Sequence, residues 1–568
     1  MKKLLLLICA SVFFAGCGGK SGLEPEALFP EDAGLVFVLD NSNEQQRDQL
    51  EEIMDRFPET GFWKKYAVPA IDENLKASEG YKLSYKKHLK PVLKGKWKLA
   101  VSIANFSVEE DMADVYVVVK SDKANKFKDL LSPQLDGEGI QYKKDGDYEY
   151  WTNVDGRFYA ARYKDLFLIA SNEEALEGMK ARVDGGKSFA DNADVKNRIA
   201  SLAEGNMGYA YVNSADFADY LAAIYAEFGM GQYFENYVGA IGDSYSVWGV
   251  SDYGFFGLSE ADIADNPDQL EKVMPGYTQG LNFVNKVNSD GLIAYFESYG
   301  AGVVMHAFIN GILTAVYSGG DGYSQVSAEF LDLMNFVQRF LSLLDDSFAF
   351  TFSNTGGFTP SVALYFQLDE ADKEEGAKLV EKFDAYIVKV LDELKNGPMG
   401  NETPVYALKK DVEIVNGGTL HKIYLDFEAL AVGQSAAEFK VFENIMGKQK
   451  FEFFYGITGD NVLVLAFYPD FEEVYGKNVL ANDEKFKKAL GDADVVNSVT
   501  YFQVDPLLGI FGMYVNIARL SGNPDLWQAY DLYVKKIMGA IEYLIAYAYV
   551  GGDVLRSNFQ MVIGEGEE

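Results

Sequence analysis

Short stretches in which apolar residues alternate with others recur along this chain, and they recur in the same order twice. Trp97, Leu99 and Val101 fall on one face of a strand, as do Phe348, Phe350 and Phe352 further on. A period of two predicts half-buried strands. The segment Asp32-Ala33-Gly34-Leu35-Val36-Phe37-Val38 answers to Asp290-Gly291-Leu292-Ile293-Ala294-Tyr295-Phe296, and Val115 to Val119 answers to Leu364 to Leu368. A charged helix is predicted after each of the latter pair, near Lys123 and Asp372. Leu166-Phe167-Leu168-Ile169-Ala170 runs into Ser171-Asn172-Glu173-Glu174, and Val462-Leu463-Val464-Leu465-Ala466 into Asp470-Phe471-Glu472-Glu473. Both read as strands leading to helix starts, the first through a capping box. Tyr209-Ala210-Tyr211-Val212-Asn213 then matches Tyr501-Phe502-Gln503-Val504-Asp505, each ahead of an apolar helix. Gly239-Ala240-Ile241 matches Gly539-Ala540-Ile541.

Self-similarity at a long displacement is the mark of a duplicated unit, here of about 250 residues. The expected fold is α+β: two tandem related domains, 27–265 and 285–568, each a mainly antiparallel sheet with helices packed on one face. The join falls near Asp262 to Asn288. A doubly wound parallel sheet needs a crossover helix between most strands. The strand at Val115 follows its predecessor without one.

The amino terminus has a different pattern. Lys2 and Lys3 precede an apolar run from Leu4 to Phe14, and Phe14-Ala15-Gly16-Cys17 sets small residues before a cysteine. That order predicts a signal peptide over residues 1–16. The run is shorter than the about 20 residues that span a bilayer. A cysteine directly after Ala-Gly resembles a lipobox, so Cys17 is expected to carry the lipid that holds the mature chain to the membrane. Residues 17–26, opening Gly18-Gly19-Lys20-Ser21-Gly22, are expected to be a flexible tether. Gly18 instead of Asp after the cysteine favours the outer membrane in a diderm cell.

Composition narrows the function classes. The other cysteine, Cys9, lies in the signal, so the mature chain is expected to hold no disulfide and no thiol chemistry. Lys2 and Lys3 account for two of 51 basic residues, leaving 49 against 85 acidic ones and a formal charge of −36 after Gly16. Such a surface repels nucleic acid at long range. Hydrophobic residues make up 48% and aromatic ones 14%, which predicts a folded chain and not a disordered stalk.

The first repeat resembles the bacterial family numbered 3352 among domains of unknown function. The resemblance rests on Phe29-Pro30-Glu31-Asp32, Arg56-Phe57-Pro58 and Leu89-Lys90-Pro91-Val92-Leu93-Lys94-Gly95. It rests too on the stretch from Asp165 to Gly185-Gly186-Lys187-Ser188-Phe189. The resemblance implies an extracytoplasmic location and tandem architecture, and brings no catalytic residue with it.

Motifs of chemistry fail on their spacing. Gly185-Gly186-Lys187-Ser188 lacks the first glycine of a phosphate loop, since position 181 is Ala181. Ser84-Tyr85-Lys86-Lys87 has a Ser-x-x-Lys spacing without the Lys-Thr-Gly that penicillin-binding enzymes add. Gly242-Asp243-Ser244-Tyr245-Ser246 ends in Ser where a nucleophile elbow needs Gly. His88, His306 and His421 are far apart in sequence and have no cysteine partners, against a zinc site. Asn288, Asp290, Gly291 and Glu297 fit part of a calcium loop, but Lys286 stands at its first position. No catalytic residue, cofactor or metal is expected.

From Tyr299 to Gly320 no residue is charged. Gly300, Gly302, His306, Asn310 and Gly311 dilute this stretch, and no Lys or Arg flanks it, against a membrane span. Val303, Val304, Phe308 and Ile312 are therefore expected to form an apolar contact surface, between the repeats or toward a partner or lipid. A second apolar helix is expected from Ile537 to Tyr549. The expected function is a non-catalytic, lipid-anchored scaffold or interaction module of the cell envelope. A carrier of an apolar ligand or lipid is the alternative.

Overall fold

Strands of two kinds build the molecule. Some alternate, such as Val36 and Val38 buried between half-buried neighbours; others, such as Leu166–Ala170, are buried at every position. The first kind covers one face, and the second requires cover on both. The computed structural model describes residues 22–57, 61, 63–77, 86, 90, 95–107, 112–122, 140–153, 159–203, 205–215, 239–263, 270–271, 277–299, 339, 342–355, 360–396, 405–414, 418–426, 452–491, 493, 495–520 and 524–564. Cys17, Val303, Val304, Phe308, Ile312 and the helix expected near Lys123 lie outside the described residues.

Strands are numbered in chain order. From one edge the sheet runs β4 (Ile140–Asp145), β5 (Tyr148–Asn153), β6 (Tyr159–Tyr163), β7 (Leu166–Ala170), β3 (Met112–Ser121), β2 (Trp97–Ser107) and β1 (Leu35–Asp40). It continues through β8 (Gly208–Val212), β9 (Ile241–Ser251) and β10 (Gly254–Ile263). β10 pairs with β20 (Val554–Ile563). Beyond it lie β19 (Ile541–Gly551), β18 (Ser498–Gln503), β11 (Leu292–Ser298), β12 (Leu344–Ser353), β13 (Ser361–Leu368) and β17 (Val462–Phe467). β16 (Glu452–Ile457), β15 (Thr419–Asp426) and β14 (Val405–Glu413) complete the order. Every pairing is antiparallel, so one large open sheet runs through both halves.

The second half repeats the strand order of the first, reversed about the central pair. Ser251↔Gly254 closes one hairpin and Gly551↔Val554 the other. At the centre Leu258 faces Asn558, and Gly254↔Val562 and Asp262↔Val554 sit symmetrically on either side.

Helices cover both faces. On one, α2 (Glu173–Val183) and α3 (Ala193–Leu202) bury Leu176, Met179, Val195 and Ile199 against Val36, Val38, Val118 and Leu168. There too α5 (Phe471–Val474) and α6 (Glu484–Leu490) bury Phe471 and Phe486 against Tyr295, Tyr365, Phe454 and Val464. The opposite face carries α1 (Glu44–Asp55) over Val250, α4 (Lys373–Asn396) over Phe366 and Leu463, and α7 (Val504–Leu520) against Phe502 and Leu544. The expectation of helices on one face is corrected. Runs such as Val117-Val118-Val119 and Val462-Leu463-Val464 put apolar side chains on both faces of their strands, and each such side chain removed from water stabilises by about 1.5–3 kcal/mol.

Three further readings change. The helix expected from Ile537 to Tyr549 is a short helix, Lys535–Met538, followed by β19. Tyr543, Ile545 and Tyr547 alternate inward, a period of two in aromatic and β-branched residues that favours strand over helix. The opening strands are out of step by one residue. Val38 is buried while Phe296 points away from the buried Tyr295 and Glu297, so setting Val38 against Phe296 joins opposite faces. At the expected capping box the cap is Asn172, whose side chain accepts from Ala175 N at 2.7 Å, while Ser171 Oγ accepts from Val115 N at 3.0 Å.

Candidate functional site

Charged side chains drawn into the folded body mark where chemistry could be placed, because an unpaired buried charge is strongly unfavourable. Asp384 sits on the inner face of α4 beside Phe383, 4% exposed, over the outer strands of the second half. Lys410 Nζ on β14 reaches Asp384 Oδ2 at 2.6 Å. Asp384 Oδ1 lies 2.7 Å from His421 Nδ1 on β15 and accepts from Tyr455 Oη on β16 at 2.6 Å. The His421 ring meets Tyr455 edge to face at 5.4 Å. Burial pushes the Asp384 carboxyl up, yet the hydrogen bonds from Lys410, Tyr455 and His421 together outweigh it and hold the group below the usual carboxylate range. Burial and the adjacent carboxylate both raise the Tyr455 phenol. The arrangement orients an imidazole, as an acid–base pair does, and it equally serves to fasten α4 to the sheet.

On the opposite face of the same strands, Glu452, Asp470 and Glu472 converge closely enough to hold a cation. The Lys422 ammonium already lies there, 2.8 Å from Glu452 Oε1 and 2.8 Å from Glu472 Oε1, above the Phe454 ring. Burial lowers the Lys422 ammonium, and the two carboxylates more than reverse this. Glu452 Oε2 accepts from Asp470 N at 2.8 Å. A divalent ion would have to displace Lys422, so this donor set fits an internal counter-ion better than a metal.

The third group is in the deepest core. Glu297 is 0% exposed on β11, with Ala349 and Val499 as its cross-strand neighbours. Tyr295 Oη and Asn282 N donate to it, and Phe283 N donates to Glu297 Oε1 at 3.2 Å. Burial raises the carboxyl against the pull of these donors and of Lys286, to about 7.

The folded body also reaches further toward the amino terminus than the tether reading implies. Lys98 Nζ lies 2.7 Å from Glu26, 3.2 Å from Glu24 and 3.8 Å from Asp40, and Lys120 Nζ lies 2.7 Å from Glu24. Of the motifs weighed from sequence, Ser188 caps a 3-10 turn with Asp191, and Asp243 accepts from Tyr211 Oη at 2.8 Å within β9. Lys286, the misfit in the calcium template, pairs with Asp460 at 2.8 Å. His421 joins Asp384 in space; His88 and His306 lie outside the described residues. Sequence reasoning missed Asp384, Tyr455 and Lys410. The available signal was an acid set in the apolar stripe Leu379, Val380 and Phe383 of an amphipathic helix.

No protein-family model matches the chain, and no curated protein matches it. Solved structures of TP0453 align with part of it. Crystal form III has 8% identity over 46% of this chain and 90% of that one, at a TM-score of 0.27. Form I has 10% identity over 44% and 82%, at 0.25, and form IV 7% over 45% and 87%, at 0.25. Likeness at this level carries no functional argument. No helix among the described residues is long and apolar enough to cross a membrane.

Proposed function

We propose that this chain is a lipid-anchored, extracytoplasmic protein of the cell envelope, held to the membrane through Cys17, and that it works as a non-catalytic scaffold or interaction module. Two tandem copies of one α+β domain, of the kind the resemblance to family 3352 implies, form its body, joined edge to edge at β10 and β20. The observation that carries this reading is that the charged groups drawn inside are occupied by other protein groups: Asp384 by Lys410, His421 and Tyr455, and Glu452 by Lys422. Its aromatic side chains support the same reading, being spent on one another, as in the contacts of Phe486 with Tyr295 and Tyr501 and of Phe471 with Tyr365 and Tyr475. Partners are then an envelope protein and the membrane, with nucleic acid excluded by the acidic charge. The outer membrane is favoured in a diderm cell.

Membrane fractionation with intact-mass measurement tests the anchor. The wild-type chain is expected in the membrane fraction with a mass increment of acyl chains on Cys17, and Cys17→Ser in the soluble fraction without it. Equal partitioning of the two overturns the anchor.

A carrier of an apolar ligand is the second reading. Phe511 on α7 at 43% and Leu532 on the helical turn Tyr530–Val534 at 40% exposure offer apolar surface to water, and the sequence offers Val303, Val304, Phe308 and Ile312 as further candidates. Lipid co-purifying with protein gently extracted from its own membrane and crosslinking to 299–320 favours the carrier. A consistent protein partner without lipid favours the scaffold.

A further inference from the structure

Two lysine pairs, one from each half, meet on the face that carries α1 and α7. The helical turn Trp63–Ala67 of the first half touches the helical turn Tyr530–Val534 of the second, whose Tyr530 packs under α7. Lys65 Nζ donates to Tyr533 Oη at 3.2 Å, the Tyr66 and Tyr533 rings meet edge to face at 5.0 Å, and the Lys65 ammonium lies 5.1 Å and 5.5 Å from their centroids. Lys64 and Lys65 on one turn, and Lys535 and Lys536 directly after the other, are exposed. In the same two turns Tyr66, Leu532 and Val534 are 41%, 40% and 38% exposed. On this face Ile53 of α1 also packs with Ile563 and Ile541, so both halves hold the two turns in place. We propose that this patch is a docking surface for an anionic lipid bilayer: its four ammoniums meet lipid phosphates, and Tyr66, Leu532 and Val534 enter the boundary between headgroups and acyl chains.

Charge and reach select this occupant. Residues 530–538 contain a single acid, Asp531, and residues 63–67 none, in a chain with 85 acidic and 51 basic residues. The net charge of −34 repels an anionic surface, but at physiological salt that repulsion is screened beyond about 8 Å, so a locally basic face can make contact where the acidic remainder cannot. Contact then has one orientation. Phenol rings and aliphatic side chains set among lysines suit the interface, where amphipathic rings lie at headgroup level and ammoniums at the phosphates. For the nearness of a bilayer the proposal rests on the lipid-anchored reading. Glu24 is fixed to the body by Lys98 and Lys120, and the seven residues from Cys17 to Glu24 span at most about 25 Å. The patch thus adds a second, reversible attachment that orients a body already tethered at the membrane.

Vesicle co-sedimentation tests this with the mature chain, residues 17–568 carrying Cys17→Ser, so that no acyl group holds it to lipid. Binding to vesicles of phosphatidylglycerol and phosphatidylcholine in equal parts is expected to be at least about tenfold stronger than to phosphatidylcholine alone. Adding Lys535→Gln and Lys536→Gln is expected to weaken binding to the mixed vesicles at least about tenfold. Lys143→Gln with Lys144→Gln removes the same charge from the exposed edge strand β4 and is expected to leave binding unchanged. Absence of binding to the mixed vesicles overturns the docking surface, and so does an equal loss from the two lysine pairs. The acyl mass on Cys17 reads the anchor and vesicle binding reads the surface, so either can fail without the other.

Discussion

Each half of the sheet sets an inward-facing acid near the end of its opening strand, half-buried Asp40 in the first and fully buried Glu297 in the second, and the two halves neutralise it differently. In the first, Asp40 faces Lys98 across the β1–β2 ladder, and Lys98 gathers Glu26, Glu24 and Asp40 while Tyr209 Oη donates to Glu26 at 2.9 Å. In the second, Glu297 faces Ala349 across the matching β11–β12 ladder, and the phenol that donates to it is Tyr295 on its own strand. The same corner of the fold thus holds an ion cluster in one half and a lone carboxyl in the other. Burial lowers the Lys98 ammonium, but Glu26, Glu24 and Asp40 more than compensate and raise it. Without a cation at Ala349, burial is unopposed by a close countercharge at Glu297, and the carboxyl moves up instead. One cross-strand residue, Lys98 in the first half and Ala349 in the second, decides whether the corner contains a countercharge.

Removing the cation should have the largest effect. Lys98→Met keeps the apolar stem and leaves Glu26, whose side chain is 9% exposed, without its nearest countercharge. Breaking a buried pair from one side costs about 3–5 kcal/mol. The denaturant midpoint of the chain at pH 7 is expected to drop accordingly, with part of the loss recovered in acid as the stranded carboxylates take up protons. A midpoint within error of the wild type would mean that the cluster is solvated and the comparison misplaced.

Glu297→Gln sharpens the other side. Because the folded carboxyl sits at about 7, above its ordinary 4.5, its neutral form contributes stability that is fully present below pH 4.5 and is lost as pH rises through about 7. The wild type should therefore lose up to about 3 kcal/mol between acid and pH 8 through this group. Glu297→Gln should lack that component, so the two unfolding curves converge in acid and separate above neutrality with the variant more stable. Parallel curves across the range would remove Glu297 from the account of pH dependence.

Much of this architecture is legible in the sequence, and the failures have physical causes. Period-two alternation locates β2 and β12, and apolar runs bounded by polar residues locate β7 and β17. At β19 the same alternation of Tyr543, Ile545 and Tyr547 marks a strand, and the continuous apolar run from Ile537 to Tyr549 with a single acid masks it. Helix cover on both faces was hidden because a strand such as Leu166–Ala170 shows no polar side to mark the second layer. The polar clusters were less legible than the strands. Asp384, His421 and Tyr455 lie on α4, β15 and β16, and only the folded sheet brings them together. Glu297 was visible as an inward acid in the alternation Tyr295, Glu297, but the one-residue slip in matching β1 with β11 concealed its correspondence to Asp40. Corrected for that slip, the same alternation pairs Asp40 with Glu297.

Tyr455→Phe should have the smallest effect, and it extends the comparison to an acid with several partners. Asp384 accepts from Tyr455 at 2.6 Å while also holding Lys410 and His421. Deleting the phenol oxygen removes one donor without stranding the charge, so the loss should stay near about 1.5 kcal/mol, the low end for a hydrogen bond to a charged group. It should be well under that of Lys98→Met, and because the Asp384 carboxyl is held below the usual range, it should shrink as pH falls and the carboxylate protonates. Urea midpoints at pH 7 and pH 3 for wild type and variant measure both. A loss of several kcal/mol at pH 7 would show that Lys410 and His421 do not share the charge. Redundancy of partners would then not be what separates this acid from the single-cation cluster at Lys98.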